Sequence, residues 1–248
     1  MSLNGHASPA AIVATFPMPA GVQFDWHAHE DHQLAWSPKG VLIVLTHGRS
    51  YILPPTRALW IPAHTRHETR ASGAALLRSV YVRPRRCPIK LEAPTPVAVT
   101  PLLAELICHL GHDELAAQER SRAEAVLFDL LSPIHIATID VRWPEDPRAR
   151  EVADGLRSEP ASSRTLSAWG RHVGASSRTL ARAFLADTGL PFGRWRTLVR
   201  LQAALPQLAE GTPVSLVASR VGYYTTSAFV AAFRAHTGVT PGRYFRTS

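Results

Sequence analysis

Histidines are the first residues of this chain whose spacing suggests chemistry. Gly21 is followed after five residues by His27-Ala28-His29, after three more by Gln33 and after six more by Gly40; Pro62-Ala63-His64-Thr65-Arg66-His67 comes later. Side chains two apart on a strand share a face, so His27 and His29 are expected to point the same way. Neutral imidazole is a borderline donor that suits Zn, Ni, Fe or Mn. A second chemistry is written in the charge. Residues 1–139 carry 12 basic and 11 acidic side chains, whereas residues 140–248 carry 15 and 8. The second part is the half suited to a polyanion, and all fifteen of its basic residues are Arg, whose donor fork matches phosphate and guanine.

Short strands must position the histidines. Ala10 to Phe16, Gln33 to Trp36, Val41 to Leu45, Ser50 to Leu53, Ala58 to Ile61 and Leu76 to Val82 read as strands, with turns at Ser37-Pro38-Lys39-Gly40, His47-Gly48 and Pro54-Pro55. Such closely spaced strands without intervening helices predict a sandwich or barrel. The histidine pattern within them resembles the first and second cupin motifs. That resemblance implies an inward-facing metal site of His27, His29, Gln33 and His67 for one divalent Zn, Ni, Fe or Mn ion. Gln33 stands where the family usually has Glu, His64 stands in place of the second motif's glycine, and His32 and Glu30 offer a shifted donor set.

The same cavity can serve an organic effector. Trp26, Trp36, Tyr51, Trp60 and Tyr81 are available to line it, and Arg49, Arg57 and Arg78 to fix a carboxylate. A metal-dependent cupin enzyme is the competing reading. No separate acid or base stands out, because Glu30, Asp31 and Glu68 adjoin histidines and neighbouring strand residues point to opposite faces. A polar pocket or satisfied histidine cluster without metal is the alternative to the ion, and a third reading of the whole chain is an architectural DNA binder whose barrel is only a dimerisation module.

After Arg83-Pro84-Arg85-Arg86-Cys87-Pro88 the pattern turns helical. Pro101 to Leu110 and Glu119 to Leu131 carry apolar residues at helical spacing. Those helices either pack on their own barrel or pair two subunits. Asp140 to Pro147, with Trp143-Pro144-Glu145-Asp146-Pro147, reads as a short, stiff linker. The expected plan is a sensor barrel over residues 1–96, a helical region over 97–139, a linker over 140–147 and an all-α domain over 148–248. Cys87 and Cys108 form no disulfide framework, and no apolar run approaches a membrane span of about 18 residues. A soluble, cytoplasmic protein is the expectation.

The last domain is one pattern written twice. Thr188-Gly189-Leu190-Pro191-Phe192-Gly193-Arg194-Trp195 returns as Thr237-Gly238-Val239-Thr240-Pro241-Gly242-Arg243-Tyr244, and Leu180 and Phe184 return as Phe229 and Phe233, at an interval of about 49 residues. Each copy reads as short helix, turn, longer helix. Gly170 and Ala218 permit close helix approach, Gly174 and Gly222 the turn, Ser176 and Thr225 the N-cap, and Gly189 and Gly238 the end. Phe192 to Ala209 joins the copies as a helix of about 27 Å, against about 34 Å between successive major-groove faces. A kink is expected at Pro206.

Ser177-Arg178-Thr179-Leu180-Ala181-Arg182-Ala183-Phe184, Val217-Ala218-Ser219-Arg220-Val221-Gly222-Tyr223 and Thr237-Gly238-Val239-Thr240-Pro241 closely resemble the DNA-binding domain of AraC/XylS-type bacterial transcription regulators. The resemblance implies a homodimer on double-stranded DNA, with a small-molecule or metal effector in the barrel and no catalysis. Carried over position by position, base reading falls to Arg178, Ala181 and Arg182 in the first copy and to Thr226, Ser227 and Ala231 in the second, with Ser177 a further DNA-contacting residue. Ser176 and Thr225 are expected to hold phosphates at helix N-termini, and Arg194, Arg196, Arg200 and Arg243 to touch the backbone. With short side chains at Thr226, Ser227 and Ala231, the first copy is expected to carry discrimination and the second mainly affinity.

Overall fold

The alternating runs become β1 (Ala11–Met18), β2 (Gln23–His27), β3 (His32–Trp36), β4 (Leu42–Thr46), β5 (Arg49–Leu53), β6 (Arg57–Ile61), β7 (His67–Ala71), β8 (Ala75–Val82) and β9 (Thr95–Ala98). This computed structural model describes residues 9–46, 49–112, 114–134, 139 and 141–245. The turn expected at His47-Gly48 lies outside them. By contacts the chain divides near residue 137 into two compact units.

Two antiparallel sheets build the first unit, one ordered β1-β8-β3-β6-β9 and the other β2-β7-β4-β5. Their facing sides share a core of Ala35, Leu42, Val44, Tyr51, Leu53, Leu59, Ile61 and Leu77. The central strands of the first sheet, β3 and β6, are buried on both faces, which is why they read as apolar runs rather than as alternating ones. Leu34, Trp36, Trp60, Val80 and Val82 point outward beneath α1 (Pro101–Leu110) and α2 (Ala117–Leu130). Those helices spend their buried faces, Leu103, Ile107, Leu110, Ala123 and Leu127, on this sheet. Burying each such side chain contributes about 1.5 to 3 kcal/mol. Buried Glu124 of α2 accepts the N–H of Ala11 at 3.0 Å, tying the helix to the start of β1.

β2, β7 and β9 were not anticipated from the sequence. Gln23–His27 and His67–Ala71 lack apolar alternation because Asp25, His27 and Thr69 join Phe24 and Trp26 in lining a cavity and His67 is buried beside His27, and β9 is an edge strand carrying Pro96. The sheet therefore continues to Ala98, past the expected barrel boundary at residue 96.

The second unit holds α3 (Pro147–Ser158), α4 (Leu166–His172), α5 (Ser177–Thr188), α6 (Phe192–Ala209), α7 (Val214–Arg220), α8 (Thr226–Thr237) and α9 (Pro241–Tyr244). α6 matches its expected span and runs three residues past Pro206. α3, capped by the Asp146 carboxylate on the Arg148 and Ala149 N–H groups, is an element that the sequence reading omitted. Its Val152 and Leu156 pack with Trp169, Leu180, Phe184 and Trp195. No helix among the described residues is long and apolar enough to cross a membrane.

The duplication extends to single hydrogen bonds. Ala175 N–H donates to Gly170 O at 2.8 Å, as Tyr223 N–H does to Ala218 O at 2.9 Å. Thr188 donates its hydroxyl to Phe184 O at 2.6 Å, as Thr237 does to Phe233 O at 2.9 Å. A Cβ on Gly170 would lie 2.4 Å from Ala175 O, so the first copy's turn leaves no room for a side chain there, whereas the second copy's turn accommodates the methyl of Ala218.

Candidate functional sites

The histidines meet between the two sheets. His27 and His67 are direct cross-strand partners on β2 and β7, with ring centroids 4.4 Å apart, and His29 lies 4.7 Å from His27 and 5.3 Å from His67. One ligand nitrogen from each lies within 4.8 Å of the others. The route to this convergence differs from the expected one. β2 is irregular between Phe24 and His27 and ends at His27, so His29 is not on the strand. Its backbone is held instead by His64, whose N–H donates to His29 O at 2.7 Å.

Main-chain carbonyls set the protonation of two rings. His67 donates from Nδ1 to Thr65 O at 2.8 Å, and His27 contacts Asp25 O through Nδ1. Each contact leaves Nε2 with its lone pair. Burial pushes His67 down to about 4, so it is neutral at pH 7, and burial first and the His27 charge second also lower His29. Nε2 of His29 and Nε2 of His67 are buried without a hydrogen-bond partner.

Gln33 completes the group from the opposite sheet. Its amide donates to Ser79 Oγ at 2.7 Å, leaving Oε1 buried and unpartnered. The two substitute donors are engaged elsewhere. His32 Nδ1 accepts the Ala63 N–H at 3.0 Å, and Glu30 is exposed with its carboxylate 3.8 Å from His64.

A cavity of about 400 Å³ opens beside these atoms, lined by Phe16, Phe24, Trp26, Leu77, Thr69 and Tyr81 besides His27, His29, Gln33 and Asp25. Trp36 and Trp60 face the helices and Tyr51 belongs to the inner core, so of the five expected aromatics Trp26 and Tyr81 line it. Arg49, Arg57 and Arg78 are not among its lining residues. Arg78 alternates with Leu77 and Ser79 and so points to the other face of β8.

His64 takes the left-handed backbone of the glycine it stands for, with φ 62°. His64→Gly is therefore expected to stabilise the protein by about 1 kcal/mol. Thermal unfolding measures it, and a lowered Tm would mean that the Glu30 contact outweighs the strain.

In the second unit, Arg178, Ala181 and Arg182 are exposed along α5, with Ser177 beside the cap. Thr226, Ser227 and Ala231 are exposed along α8. Ser176 Oγ accepts from Thr179 N at 3.0 Å and Thr225 Oγ1 from Ala228 N at 3.2 Å, so both caps form as expected. Arg234, which the sequence reading passed over, is exposed on the α8 face of Ser227 and Ala231 and lines a groove with Val230 and Thr240. Its helical spacing from Ser227, seven residues on, was the available signal. Its counterpart in the first copy is Leu185, 53% exposed.

Arg194 and Arg243 are exposed, and Arg196 donates to Arg164 O at 3.2 Å. Arg200 departs from its expected backbone role. Its guanidinium turns inward, donating to Pro160 O at 3.0 Å and Ser162 O at 3.1 Å, and stands 5.8 Å from the Tyr223 ring centroid. A Cβ on Gly222 would come 2.9 Å from its Nη2. It braces the loop before α4 against the turn of the second copy. Arg200→Ala is expected to cost about 2 to 3 kcal/mol of stability, while the log–log salt slope of DNA binding stays put; a phosphate contact would lower that slope by about 1.

The short, stiff linker expected over residues 140–147 is packed on the helical unit along its described residues, 141–147. Val141 is buried, Trp195 donates from Nε1 to Arg142 O at 2.8 Å, and the Trp143 and Trp195 centroids are 5.5 Å apart. Asp187 Oδ2 accepts the N–H groups of Glu145 and Asp146, both at 2.9 Å. Residues 141–147 belong physically to the helical unit.

A β-rich unit enclosing an effector-sized cavity, followed by two presented helix-turn-helix units, defines a DNA-binding regulator with its own ligand-binding domain. Comparison with known proteins agrees. The AraC-like ligand binding domain matches residues 9–131 and a helix-turn-helix domain residues 169–247. The HTH-type transcriptional regulator NimR of Escherichia coli K12 is 29% identical over 221 residues, covering 88% of this chain and 81% of NimR. RipA of Corynebacterium glutamicum, also an HTH-type transcriptional regulator, is 39% identical over 145 residues, 55% of this chain and 43% of RipA. The solved C-terminal domain of AraT, a response regulator from Geobacillus stearothermophilus, aligns with 42% of this chain and 87% of its own at 28% identity and a TM-score of 0.39. The chain carries an AraC-like ligand-binding domain followed by an AraC-type helix-turn-helix domain, the make-up of AraC-type transcription regulators.

Proposed function

We propose that the barrel senses its signal through a divalent metal held by His27, His29, His67 and Gln33, and that this signal alters how α5 and α8 meet DNA. The observation that carries this reading is the set of three buried, unpartnered acceptor atoms, His29 Nε2, His67 Nε2 and Gln33 Oε1, gathered beside one cavity. Buried polar atoms ordinarily have partners, and a cation satisfies all three together. The donor set fits Zn, Ni, Fe or Mn: three imidazoles, two of them oriented by main-chain carbonyls, plus an amide oxygen. A bound metal supplies a Lewis-acid centre for a ligand in the cavity. Ser79 positions the fourth donor by engaging the amide nitrogen of Gln33, which aims the oxygen inward.

On the DNA side, Arg178 and Arg182 read bases from the first copy and Arg234 joins Thr226, Ser227 and Ala231 in the second. Ser176, Thr225, Arg194 and Arg243 hold phosphates. Copy-two discrimination is therefore larger than the short side chains alone suggested. The protein acts in the cytoplasm as a homodimer without catalysis; Leu102 and Val126, 59% and 43% exposed on α1 and α2, are the apolar side chains available to a second copy.

A titration against DNA from upstream of its own and neighbouring genes, with random DNA as control, before and after metal stripping, tests this reading. Specific binding that changes on stripping supports it. Specific binding indifferent to metal removes the metal and leaves an organic effector; no preference over random DNA overturns the regulator reading.

A further inference from the structure

The cavity has walls of one kind and a floor of another. Phe16 and Phe24 meet edge to face at 5.4 Å, and with Leu77 and the half-exposed Trp26 they form an apolar surface. His27, His29, Gln33 and Tyr81 supply the polar part. Among the described residues no Arg or Lys lines the cavity, and the acidic residue in the lining, Asp25, is exposed and takes the Gln23 amide at 2.8 Å.

These facts constrain what the cavity accepts once the metal reading is granted. Three neutral imidazoles and a neutral amide bring no negative charge to the ion, and the nearby carboxylates, Asp25 in the lining and Asp31, whose charge is felt at His29, stand outside the donor set. In an apolar enclosure a charge so placed strongly favours an anionic partner, because solvent screening is weak there. The lining offers that anion no other cation. We infer that the effector is a small organic monoanion, an oxygen acid on an apolar body, with its oxygen directed to the ion held by His27, His29, His67 and Gln33 and its body against Phe16, Phe24 and Leu77. The inference rests on the metal reading and adds to it the chemical class of the signal. About 400 Å³ accommodates one ring and a short side arm. A neutral analogue keeps the apolar contacts and forfeits the charge; a bare carboxylate keeps the charge and forfeits the contacts. Both halves are needed for selective binding.

The experiment uses the full chain, stripped and reloaded with Co(II), whose visible bands report its coordination. The probes are phenylacetate, acetate and phenylacetamide. One equivalent of Co(II) is expected to bind. Phenylacetate is then expected to shift the bands and to bind about tenfold more tightly than acetate, the gain that burying a ring provides, while phenylacetamide leaves them unchanged. Phe24→Ala is expected to erase the advantage over acetate and to retain the Co(II) bands, which report that the variant is folded. Bands that form but do not respond to phenylacetate, or respond equally to phenylacetamide, overturn the inference and leave the metal reading standing. Failure of Co(II) to bind overturns both.

Discussion

His67→Ala is expected to lower Zn(II) affinity about a hundredfold or more, because one donor of a closed set carries several kcal/mol of the binding free energy. The effect should exceed that of any other single change in the barrel. His67 is buried, faces His27 across the β2–β7 pair, and has its tautomer fixed by Thr65 O. Competition against a chromophoric chelator reads the affinity, and circular dichroism shows that the sheet survives. His32→Ala is the control. That ring accepts the Ala63 N–H and lies with its centroid 5.1 Å from Trp60, so its loss should leave metal stoichiometry and affinity unchanged. Equal losses in the two variants would place the metal in the shifted donor set instead.

Arg178→Ala is expected to cost about 1 to 3 kcal/mol on the operator and to relax preference at one base pair. The side chain is exposed in the first turn of α5, behind the Ser176 cap, where a recognition helix approaches base edges. Affinities for the operator, for its single-base variants and for random DNA separate the cases. Equal loss on all of them would make Arg178 a phosphate contact. Arg234→Ala offers the matching measurement on α8: a base-selective loss there would give the second copy a share of the discrimination.

The helical unit was largely legible in the sequence because duplication supplied two readings of each feature. Caps, turn glycines and the spans of α5, α6 and α8 follow from residues whose local conformational demands are strong, such as Gly189 and Gly238 at positive φ. The fate of Arg200 was not legible. Arginine on a helix of a basic domain reads as a DNA contact, and only the fold reveals that carbonyls of residues 160 and 162 come within reach. In the barrel, the strands with apolar alternation were found and the two carrying His27 and His67 were missed. Those residues give up the hydrophobic pattern in order to line the cavity, so the chemistry was visible while its scaffold was hidden. His29 shows the reverse error: strand alternation gave the right grouping for the wrong reason, since an irregular segment anchored by His64 brings the ring inward.

Docking of residues 141–146 also changes the reach available to the chain. Six extended residues span at most about 20 Å, and that length is taken up on the first helix-turn-helix copy by Asp187 and Trp195. A tether that much shorter confines its two ends to a smaller shared volume and raises their effective concentration for each other. Any tension arriving along the polypeptide is delivered at Val141, against the helix that carries Arg178 and the ring of Trp195, and reaches α8 indirectly, through α6 and through the loop at residues 160–162 that abuts the turn at Gly222. The two DNA-reading elements are thus unequal as mechanical receivers, although they are near copies as structures.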